Sequence, residues 1–141
     1  MKNCLKILAL AVAAALTLSS CDKEVEEAYP GEKTIEDTTW GVLNEAQAAY
    51  NMYVMFQSVD EGCGVNIPGI DGADVHYEAT YVFDPSTHSV TISPVKALER
   101  APSSITGSVD ASGMHLSWGF SDGQSFSETF SYVCKTSTIS Y

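Results

Sequence analysis

Alternation of apolar and polar residues dominates the second half of the chain. Over residues 75–83, tyrosine, alanine and phenylalanine at every second position alternate with histidine, glutamate and threonine. A period of two in a run rich in strand formers predicts a half-buried β-strand. The same alternation recurs over residues 89–93, 114–120 and 126–134, with turn residues between the runs. The chain therefore predicts a series of short strands joined by tight connections.

Turn signals divide these runs. Asp122-Gly123, between two alternating runs, is the strongest hairpin signal in the chain. Residues 105–109 predict a further short strand, and residues 50–59, apolar on both faces, predict a buried one. Residues 44–49 suit either a helical turn capped by Asn44 or a bulged start of that strand. No long amphipathic helix is evident, so the predicted fold is all-β.

Seven or eight strands with turns at short intervals fit two architectures. One is an antiparallel up-and-down barrel, and the other is a two-sheet β-sandwich. The consecutive hairpins after Val75 favour the barrel.

The first residues carry a different pattern. Lys2 and Lys6 precede residues 7–18, which are apolar except at Thr17. Twelve helical residues at ~1.5 Å each are too short to cross a hydrocarbon core of ~30 Å, and this length is typical of a secretory signal. The following run Leu18-Ser19-Ser20-Cys21 resembles a lipobox. The resemblance implies cleavage after residue 20 and acylation of Cys21; an ordinary signal peptide is the alternative.

An acidic segment follows the cysteine. Residues 22–38 contain seven acids, two lysines and Pro30-Gly31 but few apolar residues, which predicts a flexible tether over residues 21–38 and a folded domain over 39–141. The acids directly after Cys21 resemble the export signal of Bacteroidota surface lipoproteins. This implies an outer-membrane, cell-surface location, with the periplasmic face as the alternative. Asp37-Thr38-Thr39 resembles an O-glycosylation motif of those bacteria, which implies modification at Thr38.

Charge restricts the partners. The chain has a net charge of −11, and removal of residues 1–20, with two lysines and no acids, makes it −13. Such an acidic protein repels nucleic acid and anionic head groups. Membrane attachment is therefore expected through acyl chains on Cys21.

The length of about 100 residues, the early Trp40 and the tyrosine-rich central strand of the domain resemble the small lipocalin-like (calycin-like) lipoproteins of Bacteroidota. The resemblance implies a binding or accessory protein that holds a small apolar or glycan ligand. The alternative is a structural or adhesive protein that binds another protein through its outer face. Aromatic residues and one histidine are the candidate ligand contacts, unless they belong to the core: Tyr53, His76, Tyr77, Tyr81 and Trp118.

Catalytic and metal-binding motifs are not evident in the sequence. There is no Gly-x-Ser-x-Gly elbow, no glycine-rich phosphate loop and no histidine pair at metal-ligand spacing. We therefore expect neither an enzyme nor a bound cofactor. Asp71 and Asp74 lie in a loop that leaves calcium binding open, although the full calcium-loop pattern is missing.

Cys63 and Cys134 are the remaining cysteines of the predicted mature chain. An exported protein matures in an oxidising compartment, and Cys134 lies in phase with apolar residues of the last strand. These observations predict a Cys63–Cys134 disulfide. Two separate buried thiols are the alternative.

Overall fold

The structure, a computed structural model, describes residues 29–139, so the predicted signal peptide, Cys21 and residues 22–28 lie outside the described part. Eight antiparallel strands form a closed barrel in which each strand pairs with the next and the last returns to the first. The predicted up-and-down barrel is confirmed, and the sandwich is not formed. The strands are β1 Thr39–Asn44, β2 Ala49–Phe56, β3 Cys63–Pro68, β4 Asp74–Asp84, β5 Ser89–Pro94, β6 Ile105–Asp110, β7 Gly113–Gly119 and β8 Ser125–Cys134, followed by a 3₁₀ turn at Thr136–Thr138.

The strands form where the apolar and polar residues alternate. In β4, buried and exposed positions alternate from Asp74 to Val82. Residues 45–48, which suited a helical turn or a strand, form the tight β1–β2 connection. The Asn44 side chain accepts a hydrogen bond from Ala46 N at 3.1 Å, and Ala48 adopts a positive φ of 50°. The hairpin after β7 turns at Gly123, as its Asp-Gly sequence predicts.

Side chains fill the barrel interior. An eight-stranded barrel is just wide enough for its inward residues to pack against one another. The fully buried positions come from every strand except β4 and from the segment that precedes β1: Ile35, Trp40, Val54, Phe56, Val65, Ile67, Val90, Ile92, Ile105, Met114, Leu116 and Phe130. Within residues 29–139, no helix is long and apolar enough to cross a membrane.

The segment before β1 belongs to the folded domain. Ile35 is fully buried in the main core, and Tyr29 Oη lies 3.2 Å from His88 Nδ1. Gly31, at a φ of 90°, packs so closely that a β-carbon there would lie 2.9 Å from Val109 Cγ1 and 3.1 Å from Trp40 Cζ2. The prediction that the tether extends to residue 38 is therefore wrong for residues 29–38. The segment has few apolar residues, and the packing of Ile35 and Tyr29 against the core depends on distant strands that the local sequence does not reveal.

The Asp37-Thr38-Thr39 motif is part of this packing. Thr38 is buried; its hydroxyl donates to Ile35 O and accepts a 2.8 Å hydrogen bond from Trp40 Nε1. Asp37 accepts hydrogen bonds from the Ser137 backbone N–H at 2.7 Å and hydroxyl at 3.0 Å. A glycan on Thr38 is incompatible with this arrangement, since it would have to occupy space that the core already fills.

An ion pair joins two loops at the opposite end of the barrel. The Arg100 guanidinium donates to both carboxylate oxygens of Asp71, at 2.9 and 3.0 Å, and to Ala73 O at 2.9 Å. The guanidinium hydrogen bond lowers the pKa of Asp71. The sequence left calcium binding by Asp71 and Asp74 open. In the structure the Asp71 carboxylate is paired with the Arg100 guanidinium. No group of three or more histidine, cysteine or carboxylate side chains within residues 29–139 is arranged to hold a metal ion.

Candidate binding groove on the outer face

Two rows of outward-facing residues cross β2, β3 and β4. In the first row Asn66 lies between Tyr53 and His76. In the second row Gly64 lies between Met55 and Glu78. The middle position of this row therefore has no side chain. Residues paired directly across strands have β-carbons about 5 Å apart on the same face. The missing side chain therefore leaves a depression in the sheet.

This depression is the floor of a groove of about 720 Å³. Its volume falls in the range of ~300–1,000 Å³ that is usual for ligand sites. Among the described residues, a β-carbon on Gly64 would have only Met55 Cε, at 3.4 Å, and His76 Cε1, at 4.0 Å, within contact distance. The groove is lined by Tyr53, Met55, Gln57, Asp60, Glu61, Gly62, Cys63, Gly64, His76, Glu78, Ala79, Thr80, Val95, Thr136 and Ile139.

The groove combines rings with carboxylates. The Tyr53 and His76 ring centroids are 6.2 Å apart at an angle of 50°, so the two rings form one wall. Asp60, Glu61 and Glu78 are exposed, and no lysine or arginine among residues 29–139 lines the groove. The site thus offers an apolar floor, an aromatic wall and hydrogen-bond acceptors, without a cation to attract an anionic ligand.

The structure divides the predicted ligand contacts into two sets. Tyr53 and His76 meet on the outer wall of the barrel, in the groove. Tyr77, Tyr81 and Trp118 lie in the core, each about 5 % exposed or less. Burial, followed by the nearby Glu36 and Cys63, raises the pKa of Tyr81 to about 12, and its hydroxyl donates to Gln57 O.

Sequence reasoning missed Gly64, whose missing side chain leaves the depression, and Glu78, which flanks it. A glycine inside a strand run was the available signal, since such glycines mark places where another group approaches the backbone. Nothing in the linear pattern showed which residues would flank it. That depends on the pairing of β3 with β2 and β4.

Two buried polar groups of the interior lack a hydrogen-bond partner among residues 29–139: Tyr77 Oη and Trp118 Nε1. Burial, and to a smaller extent Cys63, raises the pKa of Tyr77. An unpaired buried donor is unfavourable by about 1–3 kcal/mol. These are therefore the interior positions at which a water molecule or a small polar ligand would gain most.

The predicted Cys63–Cys134 disulfide is wrong, because Cys63 is a free, buried thiol. The two cysteines lie on β3 and β8, with β1 and β2 between them. Three strand spacings of ~4.8 Å are far beyond the ~7 Å limit for bridged α-carbons.

An irregularity in the ladder also moves Cys134. Between the pairs Thr39–Cys134 and Trp40–Tyr132, β8 has one extra residue, Val133. One extra residue reverses the face of all that follow. Cys134 therefore packs with Val133 in a small cluster beside Tyr50, separate from the main core.

We predict that the Cys63 thiol of the native protein resists alkylation. Burial raises its pKa to about 12. The thiolate is the reactive form, and at pH 7 its fraction would be on the order of 10⁻⁵. In mass spectrometry, Cys63 should remain unmodified after iodoacetamide treatment of the native protein and become fully modified after unfolding without reductant. A Cys63–Cys134 peptide pair in a non-reduced digest would contradict this prediction.

A polar network on the outer face of β6, β7 and β8 includes a histidine, a serine and an aspartate. His115 Nε2 lies 3.1 Å from both Asp110 Oδ2 and Ser112 Oγ, and Nδ1 lies 3.0 Å from Thr129 Oγ1. Hydrogen bonds from Ser112 and then His115 lower the pKa of Asp110 to about 2. Serine and aspartate share one ring nitrogen, so the imidazole cannot relay a proton between them. The network joins strands and does not form a nucleophilic triad.

Comparisons of this chain with protein-family models, with curated proteins and with solved structures reveal no significant match.

Proposed function

We propose that this protein is a non-catalytic binding module of the cell envelope, anchored by acyl chains on Cys21, and that its outer groove binds a neutral glycan. The observation that carries the proposal is the position of the groove. It opens on the outer face around Gly64, while side chains fill the barrel interior. A barrel of this kind offers its wall as the binding surface.

The chemistry of the groove supports a sugar ligand. A pyranose ring has an apolar C–H face, which can pack on Tyr53, and a rim of hydroxyl groups, which can donate to Glu78, Asp60 and Glu61. The carboxylates and the chain's net charge of −11 disfavour sulfated or phosphorylated glycans. Met55 and Val95 add apolar contact at the floor and side.

The envelope location rests on the sequence before residue 29. The lipobox-like run ending at Cys21 supports acylation, and the acidic residues after it support display on the cell surface. Acyl chains insert by burial of their methylene groups, at about 0.8 kcal/mol each, and need no basic surface on the protein. This suits a strongly acidic domain.

A second candidate is a small polar ligand inside the barrel. The unpaired Tyr77 Oη and Trp118 Nε1 favour it, because a polar ligand that reached either atom would satisfy a buried group. This is the lipocalin-like mode of binding, and it makes different demands on the protein. The ligand would contact inward-facing side chains and leave the groove unused.

A substitution that fills the groove with a side chain distinguishes the two candidate binding sites. Gly64→Val should weaken the binding of neutral oligosaccharides at least tenfold, which corresponds to about 1.4 kcal/mol of binding free energy. Tyr53→Ala should weaken binding by a few-fold, since an aromatic contact contributes about 0.5–1.5 kcal/mol. Affinity would be measured by calorimetry against a panel of neutral oligosaccharides, and the site by backbone amide shifts in NMR.

Gly119→Val is the matched control, because a β-carbon on Gly119 likewise meets its nearest atom, Gln124 O, at 3.4 Å. It should bind like the wild-type protein. Ligand-induced shifts at Tyr77 and Trp118 that persist in Gly64→Val would favour the interior candidate. Failure of every neutral oligosaccharide to shift the groove amides would contradict the glycan proposal.

A further inference from the structure

β1 and β8 close the barrel along only part of their lengths. Residues 39–41 of β1 pair with residues 131–134 of β8, and the pairing stops there. Among residues 29–139, the first part of β8, residues 125–130, pairs only with β7. Residues 42–44 of β1 likewise pair only with β2 in this part of the chain. The barrel therefore has a seam that is open toward the β7–β8 hairpin.

The hydrogen-bond pattern identifies the free backbone groups. Phe120 N donates to Gln124 O at 2.8 Å next to the hairpin. In an antiparallel ladder every second residue pair exchanges both hydrogen bonds. The even-numbered residues of this part of β8 therefore bond to β7. The N–H and C=O groups of Ser125, Ser127 and Thr129 point toward the seam, where no residue of 29–139 pairs with them.

Side chains leave this edge uncovered. All five residues 125–129 are exposed, including Phe126 at 37 %. Phe126 stacks on Trp118, with ring centroids 5.9 Å apart at 20°, and meets Phe120 edge-on. Across the seam, Leu43 of β1 is 47 % exposed. Unpaired backbone groups and exposed apolar side chains thus lie together.

We propose that the free edge of β8 binds an extended polypeptide segment of a partner protein by strand addition. Backbone groups of the segment would pair with those of Ser125, Ser127 and Thr129. Alternate side chains of the added strand would face Phe126 on the inner side of the sheet and Leu43 on the outer side. An unpaired strand edge is a ready template for such pairing, and peptide-binding domains use it widely. This site is separate from the groove on β2–β4.

Charge selects the chemistry of the segment. Glu128 lies on the free part of β8, Asp122 in its hairpin and Glu45 in the β1–β2 turn. Residues 42–50 and 113–130 contain neither lysine nor arginine. A second copy of this chain, with a net charge of −11, would be repelled. The segment that fits is therefore one with lysine or arginine among its apolar residues.

Hydrogen exchange of the purified full chain tests whether the edge is free. The amides of Ser127 and Thr129 should exchange at least 100-fold faster than those of Phe126 and Glu128, because only the latter belong to the β7 ladder. Equal protection of the odd and even residues would overturn the proposal.

A capped synthetic octapeptide that alternates valine with lysine tests the binding. At low salt it should slow exchange at Ser127 and Thr129 at least tenfold. Ser127→Pro should weaken binding at least tenfold, since it removes a seam-facing N–H and leaves the β7 ladder intact. Ser127→Ala, which keeps that N–H, should bind within twofold of wild type. Glu128→Gln should bind the peptide a few-fold more weakly.

Three results of the binding experiments would also overturn the proposal. The first is equal binding to Ser127→Pro and wild type, or, if the proline variant does not fold, equal binding to Glu128→Gln and wild type. The second is equal binding of an octapeptide that alternates valine with glutamate. The third is a dimer of the wild-type chain that forms without peptide and protects the Ser127 and Thr129 amides, which would assign the edge to a second copy.

Discussion

Replacing Ile35 with alanine is expected to lower the free energy of unfolding by about 2–5 kcal/mol. Ile35 comes from the segment before β1, yet it is fully buried among the core residues of the barrel. The substitution removes three carbon atoms from a closely packed interior and leaves a cavity. Since a domain of this size has a total stability of ~5–15 kcal/mol, the loss would be a large fraction.

Chemical denaturation of the two purified proteins provides the measurement. Val82→Ala is the control, because Val82 is 70 % exposed on β4, and it should change the stability by less than ~0.5 kcal/mol. If Ile35→Ala were as mild as this control, the segment before β1 would not be part of the core. Residues 29–38 would then belong to the tether after all.

Two mid-strand glycines should respond in opposite ways to alanine. Gly107→Ala should destabilise the protein by about 1–3 kcal/mol or more, because the new β-carbon would overlap His115 O and lie 2.9 Å from Leu116 Cδ2. The overlap can be relieved only if β6 and β7 move apart, since the His115 oxygen belongs to the backbone. Gly64→Ala should be neutral or stabilising by up to ~1 kcal/mol, because the added methyl group meets the flexible Met55 side chain at 3.4 Å and His76 Cε1 at 4.0 Å and restricts the unfolded chain.

The difference between the two variants, about 2 kcal/mol or more, is the quantity to measure by chemical denaturation under identical conditions. Each variant is the control for the other, since both replace a strand glycine by the same residue. Equal effects would contradict the close β6–β7 contact. A strong loss in Gly64→Ala would show that the groove floor is more tightly packed than its geometry indicates.

Local pattern predicted most of the fold. Period-two alternation located β4, β5, β7 and β8, and short connections favoured consecutive antiparallel pairing. Alternation is a property of neighbouring residues, so it can be read without knowledge of the partner strand. The same argument placed His76 on the outer face, where it forms a wall of the groove together with Tyr53.

Predictions that depended on distant contacts fared differently. The tether boundary was wrong because Ile35 looks isolated in the sequence and becomes core only when the barrel end is closed. The Cys63–Cys134 bridge was wrong because an extra residue, Val133, reverses the face of Cys134. A bulge in one strand is defined by its partner, and no local pattern records it.

The sequence by itself determined the all-β class, the meander of hairpins, the acidic character and the signal-like start, because each follows from composition or from spacing along the chain. Only the tertiary structure decided which strands stand beside Gly64, where the β1–β8 seam opens and which aromatic residues are core. These depend on register and closure. A register shift of one residue would move inward-facing side chains to the outer face, although the sequence of the strand would stay the same.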